Sequence, residues 1–404
     1  MGDDINMEKA SRTTIGSFIL SNEQRVIVKD PDIFKRDTPP PRLIERSDTK
    51  NFYRELAVFI NYRKPNNILL KGFPGSGKTV TARLTMGGID ENKVLDGSIR
   101  THYVNCYGKT SIDVMRVLLR NPTEKTFALA MQKFLETIET DVIVALDEID
   151  RSESNVHELL YCLSRPREML PAFQHNIQLI LISNNFDWED VIPDNVRSSL
   201  QLKSIVFQSY DVKTIKNILR QRVKIGFVSE DVISEQLLDK IAVFVEKYRN
   251  GDCRLALDIV FYAGLEAEKD RAEKILESHV DKATKAAIYN LDKYQVSKLG
   301  DDHLLVALAV VAKKSKSLEE LYNTYIDIIE GNDLAKSIPK KSKSMVYHIL
   351  NHLNSLDIID KGIAIDNSRQ VPTRTLTLKG RIAESIIFDE LAVRGLRLKI
   401  DFKN

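Results

Sequence analysis

The sequence predicts a P-loop α/β domain built on a parallel sheet, then an all-helical lid domain and a C-terminal winged-helix domain. Three observations carry this reading. Gly72-Phe73-Pro74-Gly75-Ser76-Gly77-Lys78-Thr79 fits G-x-x-x-x-G-K-[ST] between a short apolar strand and a helix. Short, nearly continuous apolar runs alternate with amphipathic helical stretches before about Tyr210, as in a sheet buried on both faces. After that point strand signals vanish until two short runs near the end. At 404 residues, two or three domains are expected.

The elements follow in order. The first 40 or so residues are polar and mixed in charge and lead to Pro39-Pro40-Pro41, which neither a helix nor a central strand can continue. Residues 1–40 read as a flexible N-terminal arm. The nucleotide-binding α/β domain spans 41–208, with strands at Asn67–Lys71, Thr101–Cys106, Asp141–Leu146 and Ile177–Ser183. Residues 209–295 form the helical lid, since 211–227, 234–247 and 252–267 all carry apolar stripes at helical spacing. In 296–404 three helices (303–312, 317–329, 341–356) precede the runs 358–365 and 371–378, which is the winged-helix order.

Composition excludes several classes. Lys+Arg 59 against Asp+Glu 57 leaves a net charge of +2, so no global excess decides for or against nucleic acid. No run approaches the roughly 18–20 apolar residues of a membrane span, and the N-terminus lacks a signal-peptide pattern. Cys106, Cys162 and Cys253 are far apart and odd in number, which predicts buried thiols in a reducing cytoplasm rather than a disulfide frame or zinc site.

The chemistry centres on the loop. Gly72, Gly75 and Gly77 let backbone N–H groups curl around phosphates, and the following helix points its positive end at the same anion. Lys78 is the countercharge to the phosphates, and the Thr79 hydroxyl is a Mg²⁺ ligand. The apolar strand at Val142–Leu146 ends in Asp147-Glu148. Asp147 is the second candidate for Mg²⁺, and Glu148 the base that polarises the attacking water. Asn184, at another strand end, is placed to orient that water. Arg254, in Gly251-Asp252-Cys253-Arg254, opens a lid helix.

These stretches, with YVNC, ELLYCLSR, LISN, SYDVKTIKNILRQR and GDCRLALDI, resemble the archaeal origin-recognition initiators. Those are AAA+ relatives of the eukaryotic origin recognition complex large subunit and its helicase-loading cofactor. The resemblance implies an AAA+ domain, makes Asn184 the first sensor and Arg254 the second, and adds Val80, Tyr210 and Arg222 to the loop residues Phe73, Pro74 and Ser76 as nucleotide contacts. It implies ATP/ADP and Mg²⁺ as cofactors, slow ATP hydrolysis used as a switch, and a cytoplasmic, nucleoid-associated location. Its implied partners are double-stranded origin DNA, the replicative MCM helicase and paralogous initiators on adjacent sites, with no membrane. Two departures stand out. Asn195 occupies the place of an expected arginine, leaving Arg197 as the candidate finger, and no Val-Pro-x-x-Gly segment lies between Asn105 and Asp141.

Charge supplies the DNA reading. Between residues 336 and 379 eight basic residues face three acidic ones. Lys340, Lys341, Lys343 and Ser344 fall at the start of the third helix, and Arg369 and Arg374 on the wing, the parts that meet the groove and backbone in helix-turn-helix proteins. The competing readings are a winged module that binds protein, a transcription-regulating ATPase, and a paralogue that represses initiation.

Overall fold

Strands β1 (Ile68–Gly72), β2 (Ile99–Asn105), β3 (Asp141–Asp147), β4 (Ile177–Ser183) and β5 (Lys203–Phe207) form one parallel sheet in the order β2-β3-β4-β1-β5. The computed structural model describes residues 26–396 except 36–37, 41, 92–96, 121–122, 154–155, 313–316, 333–334, 357, 367–370, 379–383 and 395, and excludes the side chains of 291, 355, 360–366, 371–378 and 384. Alternate strand residues enter opposite cores. Ile68, Leu70, Ile143, Ala145, Ile180 and Ile182 face one core, while Leu69, Val142, Val144, Leu146, Leu179 and Leu181 face the other. Burial on both faces is why these strands read as unbroken apolar runs. The edge strand β5 carries Lys203, Ser204 and Val206 exposed and only Ile205 and Phe207 buried, so no run announced it.

Helices cover both faces. α1 (Ser47–Tyr62) and α2 (Lys78–Asp90) bury Phe52, Leu56, Phe59, Ala82 and Met86 on one side. On the other, α3 (Ser111–Leu119), α4 (Phe127–Thr137), α5 (Val156–Ser164) and α6 (Asp194–Leu200) bury residues such as Met115, Phe134, Leu160 and Val196. The lid helices are α7 (Val212–Gly226), α8 (Glu235–Arg249) and α9 (Cys253–Lys269). Asp211, Ser234 and Asp252 cap them, each side chain accepting a first-turn backbone N–H. The cysteines are buried free thiols, and desolvation raises all three thiol pKa values.

One expected feature differs. The arm is not free over its described residues. Ile27 and Phe34 are buried, and Val28 forms a β-bridge with Phe227 at the end of α7. One compact unit spans Met1–Val280 and a second Asp281–Asn404, and α10 (Glu277–Ser297) runs through that division. The end of that helix carries Val296 into the C-terminal core, and Tyr289 donates to Asp389 at 3.3 Å.

The C-terminal unit continues with α11 (Asp301–Ala312), α12 (Leu318–Gly331), α13 (Lys343–Ser355), the antiparallel hairpin β6 (Ile359–Asp366) and β7 (Val371–Leu378), and α14 (Glu384–Val393). This is the order of a winged helix. α11 is central, with every residue from Leu304 to Val310 buried. α13 starts two residues later than the sequence suggested, because Ser342 caps it, accepting from Met345 N–H at 3.3 Å. Among the described residues, no helix is long and apolar enough to cross a membrane.

Candidate nucleotide site

The C-terminal ends of the parallel strands converge on one cavity of about 510 Å³, lined from both the α/β domain and the lid. β1 delivers the loop, β3 delivers Asp147 and Glu148, and β4, lying between them, delivers Asn184. Lys78 is 4% exposed, and its Nζ donates to the carbonyls of Gly72 (2.7 Å) and Phe73 (2.9 Å) and to Asn184 Oδ1 (2.9 Å). Burial lowers its pKa to about 8, opposed chiefly by the Asp147 carboxylate. Phosphate oxygens would relieve that desolvation by taking the place of neutral carbonyls.

Asp147 is 2% exposed with both oxygens engaged. Oδ1 accepts the Glu148 N–H at 2.8 Å, and Oδ2 accepts the Tyr103 hydroxyl at 2.6 Å. Tyr103, on β2, has its pKa driven well above the usual phenol value by burial and by that carboxylate. Glu148 holds φ 52°, ψ 41°, an unfavourable left-handed backbone that turns the chain at the strand end. The Asn184 N–H donates to Asp150 at 3.2 Å.

The lid closes directly on the loop. A Cβ at Gly75 would lie 2.0 Å from Asp252 Oδ1, and one at Gly77 would lie 2.0 Å from the Tyr210 hydroxyl. Both glycines have positive φ, so side chains are excluded twice over. Arg46, before α1, stacks over the Tyr210 ring at 4.2 Å and donates to the carbonyls of Ser76 (2.8 Å) and Gln208 (2.9 Å).

Of the residues singled out above, Gly75, Gly77, Lys78, Thr79, Val80, Asp147, Glu148, Asn184, Tyr210, Arg222 and Arg254 line the cavity. Gly72, Phe73, Pro74 and Ser76 shape the loop behind it; Ser76 is 1% exposed, and Phe73 packs edge-on against Phe186. Arg222 is committed elsewhere. Its guanidinium donates to the carbonyls of Ile33, Thr38 and Pro39. Arg197 is exposed and donates to the Ile192 carbonyl at 3.3 Å, and Asn195 is exposed beside it. Arg46, Tyr103 and the arm residues Thr38, Pro39 and Pro40 escaped the motif reading, though YVNC contains the tyrosine.

The residues fit a Mg²⁺-nucleotide. A buried ammonium, a buried carboxylate and two glycines without room for Cβ surround a cavity large enough for a nucleotide. Thr79 and Asp147 are the residues that would hold the metal.

In the second unit, the basic residues at the start of α13 are paired internally. Lys340 meets Glu330 at 2.5 Å, Lys341 meets Asp302 at 3.0 Å, and Lys343 meets Glu319. Lys340 and Lys341 precede the helix rather than forming its first turn. Ser344 is exposed on it. Arg374 lies opposite Ile363 in the hairpin register, and Arg369 lies outside the described residues.

Comparison with known families defines the class first. Residues 61–191 match an AAA domain, and residues 216–285 match the Cdc6 AAA+ ATPase-type lid domain. The chain thus carries a stretch similar to an AAA domain followed by one similar to a Cdc6-type lid, and over nearly its whole length it resembles the archaeal ORC1-type proteins. ORC1-type DNA replication protein 1 of Methanosarcina mazei is 24% identical over 96% of this chain and 96% of its own. The protein of that name from Sulfurisphaera tokodaii is 28% identical over 89% and 92%. In fold, the Aeropyrum pernix ORC1 protein, solved in complex with DNA, matches 92% of this chain and 98% of its own at TM-score 0.74 and 23% identity. The Aeropyrum pernix ORC2 protein, solved as ADPNP–ADP complexes, matches 91% and 99% at TM-score 0.65 and 19% identity.

Proposed function

We propose that the protein is an ATP-regulated, DNA-binding replication initiator that recognises origin DNA and helps recruit or load the replicative MCM helicase. The observation that carries the nucleotide half is the convergence of Lys78, Asp147, Asn184 and the lid's Arg254 on one cavity. Relatives named as DNA replication proteins and a neighbour solved on DNA support the other half.

In this reading Lys78 neutralises the β/γ-phosphate oxygens and gives up its bonds to the Phe73 carbonyl and Asn184. Asn184, released, orients a water in line with the γ-phosphorus. Glu148 accepts that water's proton as the new P–O bond forms and the bond to the β-phosphate oxygen breaks. Mg²⁺, when bound, supplies countercharge to the phosphates. Arg254 reads occupancy from the lid, so hydrolysis changes how the lid is held. Turnover is slow and acts as a switch. Paralogous initiators on adjacent DNA sites are the remaining proposed partners.

Titration with a fluorescent ATP analogue tests the site. Lys78→Ala is expected to lose binding by at least about 30-fold, a buried charge–phosphate pair being worth roughly 2–5 kcal/mol. Glu148→Gln keeps affinity and loses hydrolysis. Undiminished affinity in Lys78→Ala overturns the assignment. Mapping bound DNA in the host separates the initiator from a transcription regulator: sites at replication starts support the first, and scattered promoter sites the second.

A further inference from the structure

The phosphate loop is held from behind by Arg46, the residue before α1, which is not among those lining the cavity. Its guanidinium ties together three parts of the fold. Nη2 donates to the Ser76 carbonyl of the loop at 2.8 Å, and Nη1 to the Gln208 carbonyl at 2.9 Å, in the linker between β5 and α7. Nη2 also lies 3.0 Å from Asp48 Oδ2, on α1. The flat face of the group lies over the Tyr210 ring, 4.2 Å from its centroid.

Asp48 completes the linkage, because the same Oδ2 accepts the Gln208 N–H at 3.1 Å. Gln208 is thus held through its carbonyl by Arg46 and through its N–H by the carboxylate that Arg46 pairs with. Two residues on stands Tyr210, whose hydroxyl fills the space beside Gly77, and then Asp211, the cap of the lid helix α7. Only a planar group with several donors in a fixed fork can reach two carbonyls and a carboxylate while lying flat on a ring.

A trans peptide points its C=O and the following N–H in opposite directions. With the Ser76 carbonyl drawn to Arg46, the Gly77 N–H is turned away from Arg46, toward the side on which Gly77 lines the cavity. That N–H has no acceptor among the described residues. Glycine at 77 makes rotation of this peptide cheap, and the rotated form would face an anion with a carbonyl oxygen instead of a donor.

Resting on the nucleotide reading of the cavity, we propose that Arg46 is a positioning residue for the phosphate loop. It fixes the Ser76–Gly77 peptide with its N–H toward the phosphates, and it carries phosphate occupancy to the linker from which the lid hangs. A phosphate oxygen on the Gly77 N–H holds the peptide in the orientation that Arg46 needs, so binding tightens Arg46 on Gln208. By linkage, loosening Arg46 costs phosphate affinity by the same factor.

The probes are ATP and inorganic tripolyphosphate, each with Mg²⁺, titrated against wild type, Arg46→Lys and Arg46→Gln. Lysine keeps the charge beside Asp48, so Arg46→Lys tests the fork and not the charge, and thermal melts of the empty proteins report any effect on folding alone. Both variants are expected to bind ATP and tripolyphosphate about tenfold or more weakly, by the same factor for each ligand, as for loss of one hydrogen bond to a charged group. In wild type, tripolyphosphate should slow amide exchange in the segment from Gln208 to Asp211, and in the variants that slowing should be lost. A lowered melt with unchanged affinities makes Arg46 a purely structural residue and overturns the proposal. Loss of ATP affinity alone, with tripolyphosphate unaffected, overturns it too, since Arg46 would then act away from the phosphates. Wild type that binds tripolyphosphate without slower exchange at the linker removes the coupling to the lid. Each of these leaves the nucleotide site standing, whereas failure of wild type to bind either ligand overturns the site and the role of Arg46 together.

Discussion

Asp147 shows how the site is kept ready without its ligand. A carboxylate buried to 2% exposure needs donors, and the Glu148 N–H and the Tyr103 hydroxyl supply one to each oxygen. Tyr103→Phe removes one donor and leaves an acceptor buried, a cost of about 1–3 kcal/mol. A cation at Asp147 would repair that loss. The variant is therefore expected to melt at lower temperature when empty, and to gain more than wild type on adding Mg²⁺–ATP. Equal gains in the two proteins would mean that Asp147 does not meet the metal. The loop, Asp147 and Asn184 were legible because a motif or a buried strand end fixes each one's position. Tyr103 and Arg46 were not, since their places depend on β2 lying beside β3 and on the start of α1 lying against the loop.

The packing of α13 on α11 includes a histidine pair, His303 Nε2 lying 2.9 Å from His352 Nδ1 with the rings edge to face. One proton between two nitrogens is favourable, and a second charge is not. Burial and the His352 charge hold the His303 pKa below its ordinary value, with Asp302 opposing. Below the ordinary histidine pKa of about 6.5 the unfolded chain thus takes up the proton more readily than the folded one, so stability falls as pH drops through that range. Thermal melts followed by circular dichroism should show a drop in midpoint between pH 7.5 and 5.5 that is smaller in His352→Gln. Identical pH profiles would mean that the pair contributes nothing to acid sensitivity. Helices were legible where periodicity was strong, as in α7, α8 and α9. The edge strand β5 was not, because its half-exposed residues give no apolar run, and no Gly or Pro within α10 marks the division that this helix runs through.

At the scale of the whole chain, a net charge of +2 gives no general attraction to DNA, so any affinity must come from local concentrations of charge. The cluster at the start of α13 is shared with carboxylates of its own unit: Lys340 with Glu330, Lys341 with Asp302 and Lys343 with Glu319. Exposed ion pairs of this kind are worth about 0–1 kcal/mol, so a phosphate can take the place of a carboxylate, but the exchange lowers the net gain. Two opposite effects on duplex binding follow. Glu319→Gln and Glu330→Gln release lysines already positioned, and should strengthen binding up to about fivefold at low salt, the equivalent of about 1 kcal/mol. Lys340→Ala and Lys343→Ala should weaken it for all sequences alike and reduce the slope of log affinity against log salt by about 1 for each phosphate left without its cation. Arg374→Ala in the hairpin, and Arg369→Ala, which the sequence assigns to the same wing, should behave as the lysine variants do, since such side chains meet backbone more often than bases. Duplex titrations at several salt concentrations decide between the cases. If neither the glutamate nor the lysine and arginine variants move affinity or slope, these charges serve only the fold of the second unit, and its surface is left to a protein partner.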